Sequence, residues 1–284
     1  ALNAGLTEIR SSAQFQQYQV YVASNADSLL FHVSEEFFAG HSDTNIKYSV
    51  MSPEQIRDGF QHGKLDLALT TYPLIEPGIE WEQVLEEELV EGMEAEGGHD
   101  HDHEGHEEDS DEIEYDEHIW TSPVNAMKIT QVITDTLQEM DPADADIFAA
   151  YEEDLTELDA AFRQVVAEGK RDILVFGDRF PLLYFCKTYG LRYRAAFQGC
   201  SSDTEPSVKT RAYLIDKVNE EHIPVVYHLE LSSEAITNVI CESTGAKSLQ
   251  FHSCHNLSRE DFEQGATYLS LMWQNVEALK EGLA

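Results

Sequence analysis

The sequence predicts an α/β fold of two parallel-sheet lobes, with helices on both faces of the sheets and a long linking helix between them. Strand-like and helix-like segments alternate in the first third of the chain and again in the last third. Between them lie two long amphipathic segments that span about 45 residues. The predicted domains are an N-terminal lobe over 1–123, linking helices over 124–169 and a C-terminal lobe over 170–284. The 284 residues, 42% of them hydrophobic, suffice for two modest cores.

The first lobe is predicted from its β-α-β-α-β order. Strands are expected at 18–24, 45–50 and 65–71, and helices at 5–17, 28–38, 53–62 and 79–94. The helix after the second strand has the clearest start, since Ser52 is a favoured N-cap and Pro53 fits the first helical position. Gly63 ends it. Helical crossovers between successive strands predict a parallel sheet.

The linking helices are expected at 124–140 and 143–168, on either side of Asp141-Pro142. This proline either opens the second helix or kinks one continuous rod, and both alternatives stay open. In the second lobe the expected strands are 172–176, 193–197, 225–229 and 249–252, and the expected helices are 181–189, 206–221, 233–243 and 259–281.

The charge balance limits the partners. Against 54 acidic residues stand 18 basic ones, which gives a formal net charge of −36. Such a chain is unsuited to nucleic acid or an anionic membrane surface, and favours a cationic partner. The four cysteines, none in CxxC spacing, leave two alternatives open: Cys200 pairs with Cys254 or Cys241, or the thiols are free.

An acidic, histidine-rich loop over 97–117 dominates the middle of the chain. It contains four closely spaced histidines, His99, His101, His103 and His106. Neutral imidazole is a common metal ligand, but residues this close together cannot all serve one closed tetrahedral site. Since the stretch has few apolar residues, it is expected to be a mobile loop that attracts metal ions. The alternative is a purely solubilising acidic segment.

Several side chains suited to metal binding follow the strands of the second lobe. In parallel sheets ligands bind beyond the carboxyl ends of the strands, and the residues placed there are Asp178, Glu205, Glu230, His252 and His255. The alternative for Asp178 is a helix N-cap, and for Glu205 a charge at a helix N-terminus. Glu230 is expected to support a ligand rather than to be one.

A series of motifs in the same order is more specific than any single one. The series is DEHIW (116–120) after the histidine-rich loop, SPVNA (122–126), MDPADAD (140–146), FGDRF (176–180), TEPS (204–207) and the closing Tyr268, Met272, Asn275 and Leu279. From residue 88 to its end, the chain resembles the solute-binding proteins of zinc and manganese ABC importers.

The resemblance implies a first-row metal ion held between two lobes by His118, His255 and Asp178. His252, Glu230, Glu205 and His41 are further candidates for ligands or for supporting residues. Two imidazoles favour zinc over manganese. The implied function is a monomeric, extracytoplasmic receptor, periplasmic or lipid-anchored, that delivers zinc to a membrane permease. No H-E-x-x-H, G-x-S-x-G or nucleophile–base pair indicates an enzyme.

The first lobe departs from the family pattern. Where the family has a histidine in D-x-H-x-Y-x-P-T-P, residues 45–53 read NIKYSVMSP, with Lys47 in its place and His41 six residues earlier. Residues 18–87 also resemble half of a LysR-type effector-binding domain, through QIRDGFQHGKLDLAL (55–69). The alternative function is therefore a small-molecule effector-binding domain or a hybrid with a vestigial metal site, in which residues 1–87 are a grafted lobe. There Ser24, Asn25 and Ser28 would contact an organic anion.

Overall fold

The structure is a computed structural model, and its contacts divide the chain into two units, Ala1–Val84 and Leu85–Ala284. The residues it describes are 19–24, 45–70, 72, 74–81, 84, 88–89, 115–116, 118–140, 145–197 and 206–284. The division falls earlier than the predicted domain boundary at residue 123. The reason is that the segment around His118 packs on the second unit, where Tyr184 and Tyr268 donate hydrogen bonds to it.

The first unit contains the predicted parallel sheet. Its elements are β1 (Gln19–Ser24), β2 (Asn45–Val50), α1 (Pro53–Gln61) and β3 (Leu67–Leu69). The strand order is β2-β1-β3 and both pairings are parallel, which confirms the prediction. Ser52 caps α1 as expected, and Ile56 of this helix is buried with Ala23 and Leu65. The helices predicted over 5–17 and 28–38 lie outside the described residues.

The helix predicted over 79–94 is wrong for the residues of this stretch that the structure describes. Residues 79–81 and 84 are not helical, and Glu88–Leu89 forms a strand, β4, that pairs antiparallel with β5 (Tyr115–Asp116). Trp81, at the centre of the predicted apolar face, is 52% exposed. The backbone groups of β4 form their hydrogen bonds with β5, which is distant in the sequence.

The two linking helices, α2 (Pro123–Met140) and α3 (Ala145–Glu168), fold back on each other within the second unit. Thr156 Oγ1 donates to Met127 Sδ at 3.6 Å. On one continuous rod these residues would be about 43 Å apart, so the single-rod alternative is excluded. Residues 141–144 lie outside the described part.

The strands of the second sheet are β6 (Ile173–Phe176), β7 (Arg192–Ala195), β8 (Val225–His228) and β9 (Lys247–Gln250). Their order is β7-β6-β8-β9, and the pairings are all parallel. The helices that follow α3 are α4 (Leu183–Tyr189), α5 (Val208–Glu220), α6 (Ala235–Thr244), α7 (Arg259–Glu263) and α8 (Tyr268–Gly282). The helix predicted over 259–281 is therefore two helices. Gly265, with φ of +70°, and the Thr267 N-cap of α8 separate them.

Two different cores cover this sheet. On one face Val175 and Val226 pack against aliphatic residues of α5 and α6, such as Leu214 and Ile240. The other core is aromatic and includes Phe176, Tyr227 and Phe251. The prediction of helices on both faces is thus confirmed. The candidate ligands follow the strands at their carboxyl ends, the edge at which parallel sheets bind ligands.

The cysteines and the lengths of the helices are two further features of the fold. Cys186, Cys241 and Cys254 are free thiols. Of the two alternatives that the sequence left open, free thiols therefore apply to Cys241 and Cys254. In the part of the chain that the structure describes, the helices fall short of the length and apolarity that crossing a membrane requires.

Candidate metal centre

His118 lies between β5 and α2, just before a 3-10 turn at Ile119–Thr121. Its side chain is buried, and its Nδ1 lies 2.9 Å from Asp116 Oδ1, which also accepts the backbone N–H of His118 at 2.8 Å. Because an ionised carboxylate only accepts hydrogen bonds, Nδ1 carries the hydrogen and donates it. In this tautomer Nε2 is the ring nitrogen that carries the lone pair. A carboxylate behind an imidazole is the arrangement that orients histidines at metal sites.

Distant residues hold the His118 segment in place. Tyr184 Oη donates to the carbonyl of Asp116 at 2.7 Å, and Tyr268 Oη donates to the carbonyl of Trp120 at 2.8 Å. Trp120 Nε1 donates to the carbonyl of Ser253 at 3.0 Å, which links the segment to the loop after β9. These partners come from α4, α8 and the loop, so tertiary packing determines where His118 lies.

His255 comes from the loop after β9 and meets His118. Their ring centroids are 5.4 Å apart. A zinc ion about 2 Å from a ring nitrogen lies roughly 3 Å from the ring centroid, so two rings on one ion have centroids up to about 6 Å apart. The indole of Trp120 packs beside both rings, at 5.2 Å from His118 and 5.8 Å from His255. The two imidazoles are thus close enough to share one ion.

Asp178 is buried at the end of β6, and both of its carboxylate oxygens accept backbone hydrogen bonds. Oδ1 accepts from Arg179 N at 2.8 Å, and Oδ2 accepts from Leu229 N at 3.0 Å. Asp178 therefore connects the ends of β6 and β8. Among the described residues, no three His, Cys, Asp or Glu side chains are grouped so that they could hold a metal ion. The structure pairs His118 with His255 and does not add Asp178 as a third member.

Glu230, only 8% exposed, follows β8 and accepts hydrogen bonds from the loop that carries His255. Ser253 N donates to Oε2 at 2.9 Å, and Ser253 Oγ donates to Oε1 at 2.5 Å. The backbone N–H of His255 donates to Oε1 at 3.2 Å.

His252 lies behind this loop with a buried ring. Its backbone N–H and carbonyl are both bound by the side-chain amide of Asn275, at 2.7 and 2.8 Å. Gln250 Nε2 donates to ring Nε2 at 2.9 Å, whereas Nδ1 is 4.0 Å from Glu230 Oε2, too far for a hydrogen bond. Burial lowers the pKa of His252, although the charge of Glu230 acts in the opposite direction.

Most of the remaining predicted residues fall in parts of the chain that the structure does not describe. His41, Glu205, His99, His101, His103 and His106 are outside the described residues, as are Asn25, Ser28 and Cys200. Lys47 lies in β2 opposite Tyr21.

Sequence reasoning did not assign a role to Asp116, Tyr184, Ser253 or Asn275. Asp116 could have been found, because its position two residues before His118 suits a bond to the ring. Tyr184 bonds the carbonyl of Asp116, and Asn275 bonds the backbone of His252. Ser253 bonds Glu230. The spacing of these three residues in the sequence does not predict such contacts.

Comparison with known proteins gives one family. Residues 68–282 match the family model described as ZnuA, zinc-uptake complex component A, periplasmic. The zinc-binding lipoprotein AdcA of Streptococcus pneumoniae (strain ATCC BAA-255 / R6) is 34% identical over 197 residues, which are 68% of this chain and 38% of AdcA. The high-affinity zinc uptake system protein ZnuA of Bacillus subtilis (strain 168) is 31% identical over 173 residues, 59% of this chain and 53% of that protein. The chain thus spans well under two thirds of these relatives.

A solved structure with the same fold is the metal-dependent lipoprotein YcdH of Bacillus subtilis. Its TM-score is 0.65 at 20% identity, and the alignment covers 94% of this chain and 100% of YcdH. One fold thus accounts for nearly the whole chain, and the hypothesis of a grafted, LysR-like first lobe finds no support. Because the family model covers most of the sequence, the chain belongs to the ZnuA family of periplasmic zinc-uptake components.

Proposed function

We propose that this chain is the extracytoplasmic zinc-binding component of an ABC importer, which passes the ion to a membrane permease without catalysing a reaction. The observation that carries the proposal is the pair of imidazoles, His118 and His255, with ring centroids 5.4 Å apart. The names of the relatives, zinc-binding and zinc-uptake proteins, support the same ion.

The proposed ligands are His118, through Nε2, and His255. Imidazole suits zinc, and a set with more carboxylates would favour manganese. Asp178 is the further candidate of the sequence, but its two backbone hydrogen bonds favour a structural role, in which it holds β6 and β8 together. It does not cap the helix after β6, whose N-cap is Leu182. Asp178→Asn tests the structural role. If Asp178 only holds the strands together, the substitution should lower stability more than zinc affinity. If Asp178 is a ligand, it should lower zinc affinity more than stability.

We propose that the histidine-rich segment collects zinc for this pair. β4 and β5 precede and follow residues 90–114, and they pair with each other. Asp116 of β5 is also the carboxylate that binds His118 Nδ1. The segment is therefore joined to the chain two residues before Asp116 and close in sequence to His118, and its carboxylates and imidazoles would raise the local zinc concentration.

The chain is further proposed to act as a monomer outside the cytoplasm, in the periplasm or attached to the cell surface by a lipid. Its net charge of −36 suits the capture of a divalent cation and opposes binding to nucleic acid. The permease is the partner proposed from the family's role in an uptake complex.

The test is a zinc titration of the chelator-stripped chain, in competition with a chromophoric chelator, with manganese titrated in parallel. We expect zinc to bind far more tightly than manganese and its affinity to fall as the pH is lowered, since protons compete for the imidazole nitrogens. Zinc binding no tighter than roughly millimolar, about −4 kcal/mol, would contradict the proposal.

A further inference from the structure

Four donors converge on the buried carboxylate of Glu230. Besides Ser253 N, Ser253 Oγ and His255 N, the backbone N–H of Asn256 donates to Oε1 at 3.4 Å. Three of these donors are successive or nearly successive backbone N–H groups of one loop, which is the geometry of an anion-binding nest. Hydrogen bonds to an ionised carboxylate are stronger than those between neutral groups. Glu230 thus acts toward this loop as a fixed internal anion.

The loop adopts an unfavourable backbone conformation around this anion. Cys254 has φ of +57°, in the left-handed region that residues with a Cβ rarely occupy. This turn at Cys254 directs the N–H groups of His255 and Asn256 toward Glu230. Leu231, the residue after Glu230, also has a positive φ, +55°. Since Cys254 is not a glycine, contacts must hold its conformation, and the Glu230 carboxylate provides them on both sides of it, through Ser253 and His255.

The same carboxylate joins the loop to the sheet. Asp178, at the end of β6, accepts a hydrogen bond from Leu229 N, immediately before Glu230. Glu230, at the end of β8, then holds the loop after β9. Two buried carboxylates in series therefore connect three neighbouring strands to the backbone of His255.

We propose that Glu230 is the positioning residue that sets the affinity of this site, because it holds the backbone of His255 where the ring meets His118. Glu230 acts through His255 and not as a ligand. This inference rests on the proposed zinc-binding function.

The informative substitution is Glu230→Gln, which keeps the size and shape of the side chain. The amide of glutamine places an NH₂ group among four donors, so it cannot accept all of their hydrogen bonds. The loop then loses the contacts that maintain the left-handed Cys254. Loss of an outer partner of a metal ligand typically weakens binding about 10–100-fold, and we expect a zinc affinity reduced within that range.

The experiment measures zinc dissociation constants of the wild-type chain and of three variants, together with their melting temperatures without metal. Ser253→Ala removes one donor and leaves the carboxylate, so we expect a smaller loss of a few-fold; it also provides the test if Glu230→Gln does not fold. Leu214→Ala is the matched control, because Leu214 is buried in the aliphatic core of α5. It should lower the melting temperature and leave the zinc affinity unchanged.

A second measurement separates positioning from general destabilisation. Long-range ¹H–¹⁵N NMR of the histidine rings should show that zinc still shifts His118 in Glu230→Gln, while the shift of His255 is reduced. Equal zinc affinity in the wild type, in Glu230→Gln and in Ser253→Ala would overturn the role of Glu230 and leave the proposed function intact. If the wild type itself binds no zinc, the proposed function fails and this inference fails with it.

Discussion

The two histidines of the candidate site are held in opposite ways. His118 is oriented through its ring, because Asp116 accepts the hydrogen bond of Nδ1, and its segment is fixed by tyrosines of α4 and α8. His255 is oriented through its backbone, because Glu230 accepts its N–H and those of its loop neighbours. Each histidine thus has a carboxylate partner, which orients the ring of His118 in one case and positions the main chain of His255 in the other.

This difference separates two properties of the site. The contact of Asp116 determines which ring nitrogen of His118 can bind an ion. The contacts of Glu230 determine where the loop places His255. Substituting Asp116 should therefore change the tautomer of the His118 ring and leave the structure nearly unchanged. Substituting Glu230 should change the geometry of the loop that carries His255.

The largest effect is expected from removing either ring. His118→Ala and His255→Ala should each weaken zinc binding strongly. The loss should exceed the factor of about 10–100 that is typical when a residue supporting a metal ligand is substituted. His62→Ala is the control, since His62 is exposed at the end of α1 in the first unit. The measurement is chelator competition on metal-free protein whose folding is verified by circular dichroism. If one alanine variant kept wild-type affinity, the two histidines would not share an ion.

Asp116→Asn should have the next largest effect, a loss of zinc affinity of about 10–100-fold. Asparagine can present either its oxygen or its NH₂ group to Nδ1, so the ring of His118 is no longer restricted to one tautomer. The protein should remain folded, since Tyr184 bonds the backbone of Asp116 and not its side chain.

Asp66→Asn is the control for this substitution. Asp66 also accepts a backbone N–H, from Tyr21 at 2.8 Å, but it lies in the first unit. Wild-type zinc affinity in Asp116→Asn would show that the ring needs no orientation by the carboxylate.

Trp120→Phe tests the link between the two sides. It removes the hydrogen bond from Nε1 to the carbonyl of Ser253 and keeps an aromatic ring beside both imidazoles. A net hydrogen bond contributes about 0.5–1.5 kcal/mol, so we expect zinc binding to weaken a few-fold and the melting temperature to fall by a few degrees. A melting temperature and affinity equal to wild type would mean that the two sides are positioned independently.

Sequence reasoning was most successful where the signal is local. The alternation of strands and helices predicted both parallel sheets, and the N-cap at Ser52 marked the start of α1. The break at Gly265 and the capping box at Thr267 were also local signals, and a long predicted helix over 259–281 ignored them. The antiparallel pairing of β4 with β5 depends on a distant partner, so the local pattern of residues 79–94 was misleading.

In the candidate site, too, local features could be predicted and contacts with distant residues could not. The carboxyl ends of β6, β8 and β9 could be predicted, and with them the positions of Asp178, Glu230 and His255. What the side chains do there could not, because Asp178 and Glu230 accept hydrogen bonds from backbone groups of neighbouring strands and loops. Tyr268 reaches the carbonyl of Trp120 across 148 sequence positions, which no spacing rule anticipates.

The smallest expected effect concerns His252, which lies behind the His255 loop. Burial lowers its pKa below the ordinary 6.5, against the opposing charges of Glu230 and Asp261 and with the help of His228. The unfolded chain, with the ordinary pKa, therefore binds the proton at a higher pH than the folded chain. This contribution to stability is complete above pH about 6.5 and is lost as the pH falls below it.

Because the whole chain carries a net charge of −36, other groups also change its stability with pH, and the informative quantity is the difference between wild type and His252→Gln. We expect metal-free wild type to lose melting temperature relative to this variant, by a few degrees at most, between about pH 7.5 and pH 5.5. Parallel curves would mean that protonating His252 in the fold is no less favourable than in the unfolded chain. A divergence would show that the His255 side contains a proton-sensitive group behind its loop, in addition to the contacts that hold the loop itself.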